Sequence, residues 1–539
     1  MKTSIKEISN VLDLLLYAAK TNPKIIYCKS SKHEFSYEEF VFACIKLAKE
    51  IEKKNIRNKS IGILLPNSIS FLLTYFAVLL SGNTPALLNY LLPDVPLGKL
   101  LDNLQPALVI SDKELSKYKF LIVKMEDYSV VEPSNIEKLD NPSSANDVGA
   151  ILFSGGTTGI PKQVNHSHEC ILSMVERMEW GWPTKSNEKW LVVAPFTHIY
   201  GFLTGVTNPL LRFGTVFIPD AFEPNLIVEK LISEEINVFG GGPPAIYQAL
   251  LSVEKLKKKL VPKLRVCPGG GAPFPVAVHK IWQKRVGIPI YEGYGMTETS
   301  AGATLGHAKA NKIGSVGKPL VGTELRIADP DEDGNGEIQF KGRHVMAGYY
   351  KNPEATAETM TEDGWLKSGD LGKIDSDGFV YVTGRLKEIY VSSAGKNIAP
   401  LVIEETMKSI PIISQCFLVG DGRNYCSALF TLDVGAILRD KLYMNSNQIP
   451  KDPLQQIKML NDKGQDLSDY TESEIIRSEV QSEVDRLNEQ FSNPEQLKKF
   501  VILPRDLTID NGELTPTLKI RRKQINENWS EMIESMYDN

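Results

Sequence analysis

The chain has 539 residues, 42% of them hydrophobic and 24% charged, with a formal net charge of −5 and a pI near 6.0. That length exceeds one ordinary domain and holds enough apolar material for a sizeable core. The weakly acidic balance excludes a whole-protein attraction to nucleic acid, and six scattered cysteines without a CxxC pair point to reduced thiols, not a disulfide framework or zinc centre.

In chain order, residues 1–10 are polar and charged, unlike a secretory signal. Residues 61–65 form a short apolar run closed by Pro66 and Asn67, expected as a buried strand. Residues 71–80 are strongly apolar but too few for a bilayer span of about 20 residues, so a buried helix is expected there. The expectation is a soluble, cytoplasmic protein with no transmembrane segment. Residues 191–194, 215–218, 237–239, 263–267 and 288–292 are expected strands, with a helix over 226–235. Strands alternating with helices predict an α/β fold with largely parallel sheets.

Glycine concentrates where these strands end: Gly155-Gly156, Gly240 to Gly242, Gly269 to Gly271, and Gly293 with Gly295. Ligands bind outside the carboxyl ends of strands in α/β sheets, and glycine lets backbone approach them. The loops are therefore expected to converge on one cleft. Over 322–382, turn pairs such as Asp333-Gly334 and Asp377-Gly378 predict a small β region of short strands and hairpins. Residues 474–491 place Ile475, Ile476, Val480, Val484, Leu487 and Phe491 near helical spacing, an amphipathic helix with a core-facing stripe.

The strongest single feature is Val148-Gly-Ala-Ile-Leu-Phe-Ser-Gly-Gly-Thr-Thr-Gly-Ile-Pro-Lys162. An apolar strand enters a loop of glycine and hydroxyl residues. Its backbone N–H groups and the hydroxyls of Ser154, Thr157 and Thr158 can cradle phosphate oxygens around Gly156, and Lys162 adds positive charge. It is not a Walker A loop, because Gly159 is followed by Ile-Pro-Lys-Gln and not by Lys-Ser/Thr.

The loop resembles the signature of the adenylate-forming superfamily, which includes acyl-CoA synthetases, firefly luciferase and the adenylation domains of peptide synthetases. Gly155 stands where that signature has serine, and Gln163 where it has a final glycine. Further motifs follow in the family's order over nearly the whole chain. Pro195-Phe-Thr-His198-Ile-Tyr200-Gly201 resembles the substrate-side motif, implying that His198 and Tyr200 line the acyl site. Gly269-Gly270-Gly271-Ala272-Pro273 resembles the loop against adenine and the acyl pocket, with Gly270 on the acyl side. Tyr291-Glu292-Gly293-Tyr294-Gly295-Met-Thr297-Glu298 is a close match. It implies Tyr294 beside adenine, Thr297 at the α-phosphate and Glu298 on Mg²⁺, with Glu292 and Gly295 in the same nucleotide-binding turn. Trp365-Leu-Lys-Ser-Gly-Asp370 resembles the ribose motif, Arg385 the arginine that reaches ribose or phosphate, and Lys387 the hinge. Leu514-Thr-Pro-Thr-Leu-Lys519-Ile-Arg-Arg522 resembles the motif whose lysine bridges the attacking carboxylate and the α-phosphate.

The resemblance implies a large N-terminal domain of α/β layers over 1–386 and a smaller, mobile α+β lid domain over 387–539. It implies an ATP- and Mg²⁺-dependent ligase, closest to the fatty acyl-CoA synthetases, that makes an acyl-AMP and passes the acyl group to CoA. Catalysis would rest on Lys519, Thr157, Thr158, Glu298 and His198. The alternatives are a carrier-protein phosphopantetheine as acceptor, an aryl acid as substrate, or an inactive nucleotide-binding regulatory protein. Oligomeric state is not legible in the sequence.

Overall fold

Strand Ser60–Leu64 is buried along its whole length, as a strand must be when both faces of its sheet are covered. In the computed structural model it lies inside a seven-stranded sheet. The order is Gly348–Tyr349, Gln163–Ser167, Val148–Phe153, Thr84–Leu87, Ser60–Leu64, Leu108–Ser111 and Phe120–Ile122. The strands from Val148–Phe153 to Phe120–Ile122 run parallel. Gln163–Ser167 folds back antiparallel on Val148–Phe153, and Gly348–Tyr349 adds antiparallel beyond it. The expected apolar helix is Ile69–Leu80, capped by Ser68, whose Oγ accepts the Phe71 N–H.

The structure describes residues 8–115, 117–128, 136, 139, 143–154, 161–391, 397–445, 448–450, 453–508, 510–514 and 520–538. They divide into two units. One comprises Met1–Pro330, Ile338–Ser368 and Lys373–Tyr381; the other comprises Asp331–Glu337, Gly369–Gly372 and Val382–Asn539.

The first unit holds two further sheets. One has the order Val238–Phe239, Lys189–Leu191, Thr215–Phe217, Ile26–Lys29, Glu34–Ser36, parallel up to its last pair. The other has the order Pro268–Gly270, Tyr291–Met296, Ala301–Leu305, Lys318–Pro319. The helix expected over 226–235 is Pro224–Ser233.

Two sequence expectations are corrected here. Residues 263–267 are not a strand: Val266 makes an isolated bridge to Val238, and the strand begins at Pro268. Gly269, Gly270, Gly293 and Gly295 lie inside strands, not in loops after them. These glycines serve close approach of backbones. A Cβ on Gly270 would stand 2.7 Å from the Gly293 carbonyl oxygen, and one on Gly295 would stand 1.8 Å from that of Ala301.

Over 322–382 the expected short strands are present: Glu324–Ala328, Gly336–Lys341, Gly348–Tyr349, Leu366–Ile374 and Val380–Arg385. Gly334 and Gly378 take φ of 77° and 82° at the expected turns.

The second unit has its own core. Strands Ile413–Val419, Cys426–Leu432 and Leu497–Ile502 form a sheet, the first pair antiparallel and the second parallel. Helix Glu474–Asn488 buries Ile476, Val480, Val484 and Leu487 in the same core. Ile475 leaves the predicted stripe, being 73% exposed, and Phe491 packs from beyond the helix end. One residue of phase error at the helix start accounts for Ile475, since adjacent helical positions face different directions. All six cysteines are free and buried. Among the described residues no helix is long and apolar enough to cross a membrane.

Candidate active site

The phosphate-loop candidate joins two antiparallel strands, Val148–Phe153 and Gln163–Ser167. Its neck is closed by Ser154, whose N–H donates to the Lys162 carbonyl at 2.9 Å and whose Oγ donates to the same oxygen at 3.5 Å. Gly155, Gly156, Thr157 and Thr158 lie outside the described residues.

The returning strand makes two ties. Lys162 immediately precedes this strand and His166 stands within it, four residues on. The Lys162 ammonium lies 4.5 Å from the centre of the Tyr349 ring. His166 Nε2 lies 2.7 Å from the Thr297 carbonyl oxygen. Burial pulls the His166 imidazole down to about 4, so near neutral pH it is uncharged and donates its Nε2 proton to that carbonyl.

Thr297 and Glu298 sit where strand Tyr291–Met296 ends in the single turn Thr297–Thr299. Thr299 Oγ1 accepts the Met296 N–H at 2.8 Å and donates to the Ala301 carbonyl at 2.7 Å. Ser300 and Ala301 follow with φ of 51° and 85°, a left-handed pair that reverses the chain into strand Ala301–Leu305. The Glu298 carboxylate is 5% exposed and accepts the Tyr349 hydroxyl at 2.9 Å. Burial, and then the charge of Glu298, push that phenol well above its ordinary range. The Tyr294 ring packs 5.8 Å from that of Phe340.

On the candidate acyl side, His198 caps the turn Ile199–Phe202, its Nδ1 accepting the Tyr200 N–H at 3.2 Å. Gly201 is required there, because a Cβ would meet the Pro195 carbonyl at 2.1 Å. The hydroxyls of Tyr200 and Tyr247 both donate to the Pro268 carbonyl. Gly242 bridges to Gly269, and Gly270 pairs with Gly293. The glycine segments at 240–242, 269–271 and 293–295 are thus brought side by side. Gly271, Ala272 and Pro273 are exposed at the end of their strand. Glu292 is buried against His279, carboxylate oxygen to Nε2 at 3.0 Å. Burial raises its carboxyl, with His279 opposing.

In the second unit, Asp370 is 7% exposed and pairs with Arg385, Nε to Oδ1 at 3.2 Å. Lys387 is exposed on the turn Leu386–Glu388. Lys519 lies outside the described residues, but both flanks of its segment are held. Leu514 bridges to Ile520, and the Arg521 N–H donates to the Glu513 carbonyl at 2.8 Å. The fully buried Glu513 carboxylate accepts from Arg505, Thr508, Asn528 and Trp529. Arg522 forks onto Glu404 at 2.8 and 2.6 Å.

Sequence reasoning missed His166 and Tyr349. The nearness of His166 to Lys162 was an available signal. For Tyr349, remote in sequence from Glu298, no local signal exists.

Burial also depresses His168 to about 4 and His344 to about 3. In the unfolded chain each titrates near 6.5, so between those values the unfolded state binds more protons. Stability is therefore full above about pH 6.5 and lost as pH falls towards 4, by about 1.4 kcal/mol per pH unit for each histidine. Denaturant unfolding from pH 7.5 down to 4.5 should show a slope that starts near zero and approaches three protons below about pH 6, reduced by one in His166→Gln.

The family profile described as AMP-binding enzyme matches residues 16–350. A long-chain-fatty-acid–CoA ligase of Mycobacterium bovis is 32% identical over 458 residues, covering 76% of this chain and 72% of that protein. A long-chain-fatty-acid–CoA ligase of Homo sapiens is 26% identical over 608 residues, covering 96% and 90%. Among solved structures, O-succinylbenzoate coenzyme A synthetase of Bacillus subtilis, in complex with ATP and magnesium ion, matches with a TM-score of 0.76 at 21% identity, covering 95% of this chain and 99% of that one. ATP-bound MatB of Rhodopseudomonas palustris matches with a TM-score of 0.77 at 21% identity, covering 97% and 99%. These structures carry the likeness of fold, and the profile and the Mycobacterium bovis relative carry the kinship: the chain belongs to the AMP-binding enzyme family.

Proposed function

We propose that the chain is an ATP-dependent acid–thiol ligase that activates a fatty acid as its acyl-AMP and transfers the acyl group to CoA. The observation that carries this reading is the double tie between the phosphate-loop hairpin and the Thr297–Glu298 corner, through Lys162–Tyr349–Glu298 and through His166–Thr297. It holds Lys162 and the strand that follows it beside a buried carboxylate. The names of the sequence relatives supply the acid and the thiol.

A carboxylate oxygen attacks the α-phosphorus of ATP. A new P–O bond forms, the bond to the β-phosphate oxygen breaks, and pyrophosphate leaves. Two anions approach, so donors and positive charge must be in place where negative charge develops. We assign this to Thr157, Thr158 and Thr297 at the phosphates, with Lys519 at the α-phosphate and the attacking oxygen. Ser154 and Lys162 hold the loop's neck, Tyr294 with Gly271 to Pro273 forms the adenine side, and Gly270 faces the acyl side. Asp370 accepts from the ribose hydroxyls with Arg385 beside it. The CoA thiol then attacks the acyl carbonyl, forming the thioester and releasing AMP.

The described residues contain no cluster of three or more His, Cys, Asp or Glu side chains able to hold a metal. Mg²⁺ fits such a site, since it takes one or two carboxylates and completes its shell with phosphate oxygens and water; Glu298 is the carboxylate. When bound it neutralises charge on the phosphate oxygens.

We further propose a cytoplasmic protein with an adenylation domain over 1–386, a lid over 387–539 and Lys387 as the hinge between them. His198 and Tyr200 are placed at the acyl entrance.

The test is AMP release with ATP, Mg²⁺ and fatty acids of graded length, with and without CoA. AMP release accelerated by CoA, with thioester accumulating, is the expected result. Pyrophosphate exchange that CoA does not affect would move the acceptor to a carrier protein's phosphopantetheine. Turnover only with aryl acids would replace the substrate class, and no exchange with any acid would end the reading.

A further inference from the structure

Glu298 alone would be a poorly defined cation ligand, since a carboxylate on a flexible side chain can present either oxygen in several orientations. Here one of its oxygens is already occupied. The Tyr349 hydroxyl donates to Oε1 at 2.9 Å, and both side chains are buried. Such a hydrogen bond fixes the plane of the carboxylate and leaves its second oxygen for a cation.

Tyr349 is itself held on three sides. It pairs with Val164 in the strand leaving the phosphate loop. Its N–H donates to Thr356 Oγ1 at 2.9 Å. Its side chain packs with Val164, Met346, Ala355 and Leu366. Its ring then carries the Lys162 ammonium at 4.5 Å from its centre. A cation over the face of a phenol is attracted by the ring's π electrons, which ties the ring to Lys162.

We propose that Tyr349 is a positioning residue for the divalent cation: its hydroxyl sets the Glu298 carboxylate, and its ring links that setting to Lys162 of the phosphate loop. This deepens the ligase reading and rests on it. A tyrosine that only filled the core would be replaced by phenylalanine without consequence for the metal. A tyrosine that sets a ligand would be missed in metal-dependent binding alone, because outer partners of metal ligands are worth about 10- to 100-fold in metal affinity.

The experiment is calorimetry on the full chain and on Tyr349→Phe, with ATP titrated at graded Mg²⁺ and with AMP titrated in the absence of metal. The expected result for Tyr349→Phe is an Mg²⁺ requirement for ATP binding raised about tenfold, with AMP affinity unchanged. In a Glu298→Gln background the same substitution should add nothing, because the ligand it positions is gone. An Mg²⁺ requirement equal to that of the unaltered chain overturns the inference. So does a parallel loss of AMP and ATP affinity, which would mark a structural role, and so does an undiminished effect in the Glu298→Gln background. Failure of the unaltered chain to bind either nucleotide would remove the ligase reading and this inference with it. Normal Mg²⁺-dependent binding by both chains would remove the inference alone.

Discussion

Gly295→Ala is expected to lower the rate of adenylate formation by about 100-fold, whereas Gly302→Ala, directly opposite it in the same strand pair, should change it by less than about threefold. The two glycines are register partners across Tyr291–Met296 and Ala301–Leu305, but their surroundings differ. A Cβ at 295 would stand 1.8 Å from the Ala301 carbonyl oxygen and 2.9 Å from the Ala303 nitrogen. Both are backbone atoms of the facing strand, which no rotamer change can move aside. A Cβ at 302 would meet the end of the flexible Met178 side chain at 3.2 Å and the Thr304 oxygen at 3.5 Å. The strands can accept alanine at 295 only by separating by more than about an ångström, and misplacement of that size by a remote change costs about 10²-fold. The displaced segment carries Tyr294 on one side of the substitution and Thr297 with Glu298 on the other. Overpacking alone should cost about 1–3 kcal/mol of stability. Pyrophosphate exchange and thermal melting on both variants check the prediction. Equal effects at 295 and 302 would mean that the contact geometry does not govern the turn.

The sequence is legible here where local chemistry decides the outcome and illegible where distant segments meet. Residues 61–65 and 71–80 could be assigned because an unbroken apolar run has few places to go, and the strand and helix fall within two residues of expectation. The glycine segments could be flagged as belonging together, but their conformation was misjudged. Their pattern predicts loops beyond the strand ends, while Gly270 and Gly295 stand inside strands because a neighbouring backbone leaves no room for a Cβ. Motif resemblance marked Glu298 and Lys162, yet the side chain that joins them, Tyr349, lies 51 residues beyond Glu298. Its role is created by a strand pairing that no local pattern announces. His166 stands only four residues from Lys162, but its partner is a backbone carbonyl 131 residues away. Glu292 shows the opposite limit. Its place in the nucleotide-binding turn followed from the motif, whereas its buried pairing with His279 depends on packing of helix Val276–Val286.

Arg522→Met is expected to destabilise the second unit by about 3–5 kcal/mol. The guanidinium forks onto the Glu404 carboxylate at 2.8 and 2.6 Å, and one of the same nitrogens reaches the Tyr390 hydroxyl at 3.1 Å. The Arg522 and Glu404 side chains are 16% and 4% exposed, so neither retains a full hydration shell. Removing the arginine leaves Glu404 buried with the Leu418 N–H, 2.8 Å from Oε1, and without the cation that balances it. A second substitution distinguishes the loss of attraction from this stranded charge. Glu404→Gln removes the charge while keeping an amide oxygen for the Leu418 N–H, so Arg522→Met with Glu404→Gln should recover to within about 1–2 kcal/mol of the unaltered chain. Denaturant unfolding of the single and double variants reads both values. The functional consequence follows from position. Arg522 opens helix Arg522–Asn528 just after the segment that carries Lys519. Loosening that flank should slow adenylate formation more than thioester formation from supplied acyl-AMP, since only the first step is assigned to Lys519. An equal decline in both steps, measured where the variant is fully folded, would detach Arg522 from that lysine and leave it a stabilising role only.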